Sequence, residues 1–413
     1  MAEEIAEYSI DRLDNGFSII KLPAYGDSLI ASIWVKSGSA NEHEKHGIFH
    51  FIEHMFFKGT KSRTAVDIAK EIEGLGGYSN AFTSKEYTAY YIKSLGEFGN
   101  RTTEILSDMF FNSVFESQEI ERERQVIKEE ISMINDDPSS LIYDLFFENI
   151  LNGGPLAHPI AGTHESVSAI KRGDFIETIK SFYTPNNCFA LFVGDLSHIN
   201  WHEVEQRFLN WKNNSEIKPV EYASYKAGIF KHKKELNQVN FILGLPAFKK
   251  DDRRRYAFSL LNSILGGSMS SRLFQEIREK RGLVYSIYSS YAGFARNGVF
   301  YVSGGTNRAN FDKTVELVRE ELSKIKRDGI NKEELERAKL YFKGTFLISM
   351  ENKESLMQRA AAGYIYHGAI EPAGSVVKKI ESISINQIND LANEIFDDNK
   401  INITALGNFG DLK

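Results

Sequence analysis

Two histidines and a glutamate near residue 50 have a spacing that suits metal chemistry. The segment His50-Phe51-Ile52-Glu53-His54 has the pattern H-x-x-E-H. In a helix each residue advances by about 100°, so His50, Glu53 and His54 lie on one face. Two imidazoles four residues apart can bind one Zn²⁺, and the glutamate on the same face can activate a water molecule. The pattern therefore predicts zinc hydrolase chemistry and requires a third ligand from elsewhere in the chain.

The helix predicted over residues 117–135 offers several glutamates for this third position. Its apolar stripe consists of four isoleucines, Ile120, Ile127, Ile131 and Ile134. At about 100° per residue, Glu123 and Glu130 lie at the edge of the stripe, whereas Glu129 points away from it. A carboxylate against an apolar face is costly unless it is paired or binds a metal. We therefore predict Glu130 as the third ligand and Glu123 as the hydrogen-bond partner of a ligand histidine.

Two other interpretations stay open at this point. Residues 117–135 also have the composition of an ordinary charged amphipathic helix. His46 continues the spacing of His50 and His54, so a site of three histidines is conceivable, although Gly47 places His46 at the start of the helix.

Length and composition limit the classes of protein that fit the motif. The chain has 413 residues, more than one hydrophobic core usually holds, which predicts two domains. Its net charge of -6 provides no basic surface for nucleic acid. No apolar run approaches the roughly 18 residues that span a bilayer. We therefore expect neither nucleic acid nor a membrane as a partner.

The first residues and the single cysteine indicate a reducing, cytoplasmic location. Residues 1–7 are acidic and lack the basic and apolar regions of a secretory signal. Cys188 begins the apolar run CFALFV, which predicts a buried strand thiol, and one cysteine excludes an internal disulfide.

The two halves of the chain repeat one order of elements. The first half has a predicted strand, two helices and a strand at 27–38, 47–57, 64–75 and 87–92. The second half has the same sequence of elements at 237–245, 256–265, 272–280 and 298–303. We predict an α+β protein of two homologous α/β-sandwich domains from an internal duplication. The predicted parts are a zinc-binding domain at 1–215, a linker at 216–235 and a domain without metal at 236–413.

Around the metal motif the chain resembles the pitrilysin family of metallopeptidases, the inverted zincins. Residues 47–60, GIFHFIEHMFFKGT, follow the family pattern G-x-x-H-F-x-E-H-M-x-F-K-G-T. The family's distal glutamate ligand and the glutamate before it match Glu130 and Glu123. The resemblance is greatest to the bacterial single-chain relatives of the mitochondrial processing peptidase.

The resemblance also implies substrate contacts. Residues 77–83, GYSNAFT, resemble the family's active-site edge strand, so Asn80, Ala81 and Phe82 are expected to bind an extended substrate as an added strand.

A second set of contacts is implied for the C-terminal half. Residues 271–286 resemble its family signature, which implies that Arg278 and Tyr285 contact the substrate or its transition state. The family arrangement further implies a clam-like pair of domains and a homodimer.

These observations predict a zinc-dependent endopeptidase that cleaves oligopeptides or unfolded, presequence-like segments, with Glu53 as the general base. One alternative is a non-catalytic peptide-binding or assembly subunit of the same fold, which the complete set of catalytic residues disfavours. Another is a zinc hydrolase of non-peptide substrates, which the edge strand and the Arg–Tyr pair disfavour. The sequence leaves processing and general degradation equally open.

Overall fold

Helices and strands alternate along the residues that the computed structural model describes, which are 8–213, 215, 217, 220 and 224–409. The strands are β1 (Ser9–Arg12), β2 (Ser18–Pro23), β3 (Ser28–Val35), β4 (Tyr78–Thr83), β5 (Thr88–Leu95), β6 (Cys188–Gly194), β7 (Gly228–Lys233), β8 (Val239–Ala247), β9 (Val284–Gly293), β10 (Gly298–Thr306) and β11 (Asn402–Gly407). The α-helices are α1 (Ile48–Met55), α2 (Ala65–Gly74), α3 (Gly99–Asn112), α4 (Ser117–Asp136), α5 (Pro138–Ile150), α6 (His164–Ala169), α7 (Arg172–Phe182), α8 (Trp201–Leu209), α9 (Arg255–Leu265), α10 (Phe311–Asp328), α11 (Lys332–Ser349), α12 (Lys353–His367), α13 (Ala373–Ser382) and α14 (Ile385–Ile395). A π-helix covers Phe274–Glu279.

The chain forms two compact units, and each takes segments from both halves of the sequence. The first unit comprises the described residues of Met1–Met133, His158–Glu221 and Ser349–Glu371. The second comprises those of Ile134–Ala157, Tyr222–Ile348 and Pro372–Lys413. Helix α12 of the C-terminal half therefore belongs to the first unit, and α5 of the N-terminal half belongs to the second.

This division is more complex than the predicted one of 1–215 and 236–413. Within the predicted linker at 216–235, positions 216, 218, 219 and 221–223 lie outside the described residues. The later part of that linker forms β7 of the second sheet, with half-buried and exposed side chains in alternation. Lysines on the exposed side of β7 give this strand the polar composition of a linker.

Apart from the additional strand β1, the two sheets share one strand topology, which supports the predicted duplication, and the mixture of helices and sheets confirms the α+β class. The strand order is β1-β2-β6-β3-β5-β4 in the first sheet and β7-β11-β8-β10-β9 in the second. Each sheet has one parallel pair, β2–β6 or β7–β11. The three strands that follow it are antiparallel to their neighbours in both sheets.

Helix α12 covers one face of the first sheet. Leu356 and Met357 of this helix join a buried cluster with Trp34 of β3 and Phe189 of β6. Successive strand residues point to opposite faces, so Tyr90, next to Ala89 and Tyr91 of this cluster, faces the other side of the sheet.

Aromatic side chains pack helix α1 against that other face. The ring of Phe56, just after α1, lies 4.6 Å from the ring of Tyr90 between centroids. The hydroxyls of Tyr90 and Tyr183 are 2.8 Å apart, which pairs two polar groups in an apolar layer. The helix that carries the metal motif is thus fixed to the centre of the sheet.

The second unit receives α5 in a similar way. The ring of Phe146 lies so close to Gly244 of β8 that a Cβ atom at this glycine would be 2.4 Å from it. The remaining core combines β8, β9, β10 and β11 with the apolar faces of α9, α10 and α14. A helix from the N-terminal half therefore completes the packing of the C-terminal sheet.

We expect Met357→Ala to destabilise the first unit although residue 357 lies far from the metal motif in sequence. Met357 is fully buried, and truncation of such a side chain costs about 2–5 kcal/mol in unfolding free energy. Gln358→Ala, at the exposed neighbouring position, should change it by less than about 0.5 kcal/mol. Urea-induced unfolding measures both values, and equal effects of the two substitutions would contradict the assignment of α12 to this core.

Candidate metal centre

The position of α1 is set by its first turn. Gly47 precedes the helix with φ of 92°, and a Cβ atom there would lie 2.6 Å from the carbonyl oxygen of Ala161. Glu42 accepts hydrogen bonds from the backbone N–H groups of Gly47 at 2.8 Å and Phe49 at 3.0 Å. Burial raises the pKa of Glu42 to about 8, against the effect of these bonds. A buried carboxyl group therefore fixes the end of the helix that carries the histidines.

Three predicted ligands, His50, His54 and Glu130, lie close together on the first unit. The two Nε2 atoms are 3.3 Å apart. The Oε2 atom of Glu130 lies 3.7 Å from Nε2 of His50 and 3.6 Å from Nε2 of His54. Among the described His, Cys, Asp and Glu residues, these three have ligand atoms spaced closely enough to hold a metal ion, and we call them the metal-binding group. Helix α4 thus places Glu130 beside the two histidines of α1.

The spacing of these atoms fits a zinc ion. Tetrahedral zinc with bonds of about 2.0–2.1 Å separates its ligand atoms by roughly 3.3 Å. His54 Nδ1 lies 2.8 Å from Oε1 of Glu123, an acceptor, so its proton is assigned to Nδ1 and the lone pair to Nε2. Two imidazole nitrogens and a carboxylate oxygen then converge, an arrangement that a cation stabilises.

The surroundings shift the pKa values of the two histidines in opposite directions, and only the shift of His50 favours the neutral form that binds a metal. Burial, with a contribution from His54, lowers the pKa of His50 to about 3, so this imidazole is neutral at pH 7. Burial also lowers the pKa of His54, but the hydrogen bond to Glu123 and nearby carboxylates outweigh it and raise the pKa overall.

Glu123 is held in its ionised form by two donors. Burial alone would raise the pKa of Glu123, but His54 and Lys58 lower it below its usual range. The Nζ atom of Lys58 lies 2.6 Å from Oε2, the oxygen that His54 does not use. Glu123 therefore orients His54 and is itself oriented by Lys58.

Glu53 extends from α1 toward the end of β4. The hydroxyl of Thr83 donates a hydrogen bond of 2.5 Å to Oε2 of Glu53. Burial raises the pKa of Glu53, and the donation from Thr83 and the charge of His54 oppose that rise. The carboxylate thus lies within the electrostatic influence of the histidine pair and in direct contact with the strand.

The predicted substrate strand is the outer strand of its sheet within the described chain, because β4 pairs with β5 alone. Asn80 is exposed, and its Oδ1 accepts a hydrogen bond of 2.8 Å from the N–H of Ala81. The ring of Phe82 lies 5.5 Å from that of Trp34, so this side chain supports the strand from the core side.

Arg278 and Tyr285 lie together on the second unit. Arg278 is in the π-helix, with its guanidinium carbon 4.6 Å from the ring centroid of Phe274 and 5.8 Å from that of Tyr285. Tyr285 is on β9, the outer strand of its sheet among the described strands, and is 82% exposed. Their contact with a substrate stays a prediction.

Sequence reasoning missed Glu42, Lys58 and Thr83, all of which contact the site or its helix. Lys58 follows His54 by four residues, but α1 ends at Met55, so helical spacing does not place Lys58 beside Glu123. His46, the alternative ligand, stacks on His158 with 3.9 Å between ring centroids. It is not part of the metal-binding group.

We expect substitution of a ligand to abolish zinc binding and substitution of its hydrogen-bond partner to weaken the affinity for zinc. His50→Ala should abolish stoichiometric zinc because it removes a ligand. Glu123→Gln should weaken zinc binding about 10- to 100-fold, since it removes the charge that orients His54. Glu129→Gln, at an exposed position on α4, is the matched control and should bind zinc normally. Competition with a chelator measures the affinities, and a normal value for His50→Ala would exclude His50 as a ligand.

Comparison with known proteins places this site in a family. Residues 23–164 match the family model described as Insulinase (Peptidase family M16), and residues 169–341 match that of the Peptidase M16 inactive domain. The metal-binding group lies within the first match, and Arg278 and Tyr285 lie within the second.

Among the described residues, no helix has the length and apolar character to cross a membrane.

Similar proteins cover nearly the whole chain. An uncharacterized zinc protease of Bacillus subtilis, YmxG, is 35% identical over 89% of this chain and 90% of its own. An uncharacterized zinc protease of Rickettsia felis is 33% identical over 98% of both. The crystal structure of a protease from Helicobacter pylori matches with a TM-score of 0.89 at 24% identity, over 98% of this chain and 100% of that one, and supports the fold. The chain belongs to peptidase family M16, the insulinase family.

Proposed function

We propose that this chain is a zinc endopeptidase that cleaves oligopeptides or unfolded, presequence-like segments. The observation that carries the proposal is the position of Glu53, which lies beside the His50–His54–Glu130 group and touches the end of an open sheet edge. The curated relatives named above are called zinc proteases, which supports the same chemistry.

The residues divide the reaction between them. Zinc, when bound by His50, His54 and Glu130, supplies Lewis acidity toward water and a carbonyl oxygen. Glu53 takes a proton from the attacking water, whose oxygen bonds to the peptide carbon. The C–N bond then breaks, and Glu53 returns the proton to the leaving amine. Glu123 keeps His54 in the tautomer and orientation that this chemistry needs.

An extended chain is the substrate form that the first unit suits best. Strand β4 has an unpaired edge within the described sheet, and an extended peptide can add to such an edge through its main chain. Main-chain recognition selects for backbone that is not already in a folded sheet or helix. Peptides and unfolded segments are therefore favoured over folded proteins and over non-peptide substrates.

Several finer features stay predictions from the sequence. These are substrate contacts by Arg278 and Tyr285, similarity to the processing-peptidase branch, homodimerisation and a cytoplasmic location. The exposure of Tyr285 on its strand supports its availability to a ligand.

We expect Glu53→Gln to abolish peptide cleavage while zinc remains bound. The amide cannot accept the proton from water, and general base catalysis contributes about 10²- to 10⁴-fold to rate. Wild type and variant are incubated with unstructured peptides of varied length, products are identified by mass spectrometry and zinc is quantified in each protein. Glu129→Gln, exposed on α4, is the control and should cleave at the wild-type rate. A Glu53→Gln protein with near-normal turnover would remove Glu53 from the mechanism.

The same experiment tests the alternative of a non-catalytic subunit. A structural neighbour from Pseudomonas fluorescens is described as a peptidase M16 inactive domain and matches with a TM-score of 0.91 at 20% identity, over 99% of this chain and 100% of that one. Stoichiometric zinc in a wild-type protein that cleaves none of the peptides would favour a binding or assembly role.

A further inference from the structure

The hydrogen-bond pattern of the β4–β5 hairpin determines which residues of β4 face the open edge. Ser84, just after β4, donates its N–H to the carbonyl of Tyr87 at 2.8 Å, which makes these two a hydrogen-bonded pair. Antiparallel strands alternate bonded and non-bonded pairs, and Thr83 opposes Thr88 in the next position. The backbone N–H and C=O groups of Ser79, Ala81 and Thr83 therefore point away from β5.

Two contacts bear out this alternation. The N–H of Ala81 is bonded to Oδ1 of Asn80 rather than to β5. The N–H of Gly77, two residues before Ser79, is bonded to the carbonyl of Ile72 on α2 at 3.2 Å. The outward amides of this strand are thus turned toward the side where an added peptide would lie.

At Thr83 this outward position is taken by Glu53. The hydroxyl of Thr83 bonds to Oε2 of Glu53 at 2.5 Å, and the backbone of Thr83 also donates to the same carboxylate. Glu53 therefore ends the open edge, because a peptide paired along Ser79 and Ala81 meets the carboxylate where the next pair would form.

Thr83 is itself held firmly. The segment before α1 donates to the hairpin tip, with bonds from the N–H of Ser39 to the carbonyl of Ser84 at 3.1 Å and from that of Ala40 to Lys85 at 2.7 Å. The same segment continues to Glu42, which caps α1. The strand end and the helix that carries Glu53 are therefore joined by one short stretch of chain.

We infer that Thr83 is a positioning residue that holds the Glu53 carboxylate at the end of the peptide-binding edge. Strand β4, which aligns the substrate, then also orients the carboxylate that takes the proton. The substrate backbone and the general base are therefore both positioned by the same strand. This inference rests on the proposed peptidase function. Beyond that function, it requires the hydroxyl of Thr83 for full activity, and not merely the volume of the side chain.

The test compares Thr83→Val, which keeps the shape and removes the hydroxyl, with Thr83→Ser, which keeps the hydroxyl. We expect Thr83→Val to lower kcat about 10- to 100-fold, because small displacements of a catalytic group reduce the rate on this scale. KM, zinc affinity in chelator competition and Tm should stay close to wild type. Thr83→Ser should retain kcat within about threefold. Thr83→Val added to Glu53→Gln should cause no further loss, since both act through one carboxylate.

Each of the other possible results contradicts either the role of Thr83 or the proposed function. Normal kcat in Thr83→Val, with a wild type that cleaves peptides, would overturn the inference and leave the peptidase function intact. Equal losses in Thr83→Val and Thr83→Ser, or a loss of zinc or Tm in Thr83→Val, would show that Thr83 acts through packing. A wild type that binds zinc and cleaves nothing would instead refute the proposed function.

Discussion

Two imidazole nitrogens and a carboxylate oxygen lie within 3.7 Å of one another on the first unit, and the surrounding structure must hold them there. Lone pairs at such distances repel unless a cation offsets them. Glu123 orients His54, and Lys58 in turn holds Glu123. The close packing of α1 against the sheet fixes the backbone below these side chains. Much of the first unit can be understood as support for this one cluster.

Local sequence patterns indicated the residues of the metal-binding group because these residues lie on only two helices, α1 and α4. The H-x-x-E-H spacing and the apolar stripe of α4 each determine a helical face, and the two faces meet in the structure. Thr83 and Glu42 could not be predicted in this way, since their contacts depend on how a hairpin and a loop fold against α1. The sequence also did not indicate that α5 packs in the second unit and α12 in the first. The pattern of an amphipathic helix shows which face is buried but does not show which sheet that face covers.

Apart from β1, the two units have the same strand topology, but only the first carries the metal motif. The outer strands β4 and β9 occupy equivalent places in the two sheets. In the first unit the neighbouring helix carries the metal motif, whereas the corresponding α9 of the second buries Phe258 and Leu261 in the core. One architecture therefore serves a metal centre in one copy and apolar packing in the other, which agrees with the principle that function depends on individual sites.

Because α12 lies late in the sequence but packs on the first sheet, that sheet is synthesised long before the helix that covers it. The sheet of the first unit has all its strands once Gly194 has been synthesised, but the helix that covers one face ends at His367. At roughly 5–20 residues per second, the intervening synthesis lasts on the order of ten to thirty seconds. During that interval Trp34 and Phe189 lack their native helical cover. The nascent chain therefore presents an apolar sheet face to chaperones before its metal centre has a finished scaffold.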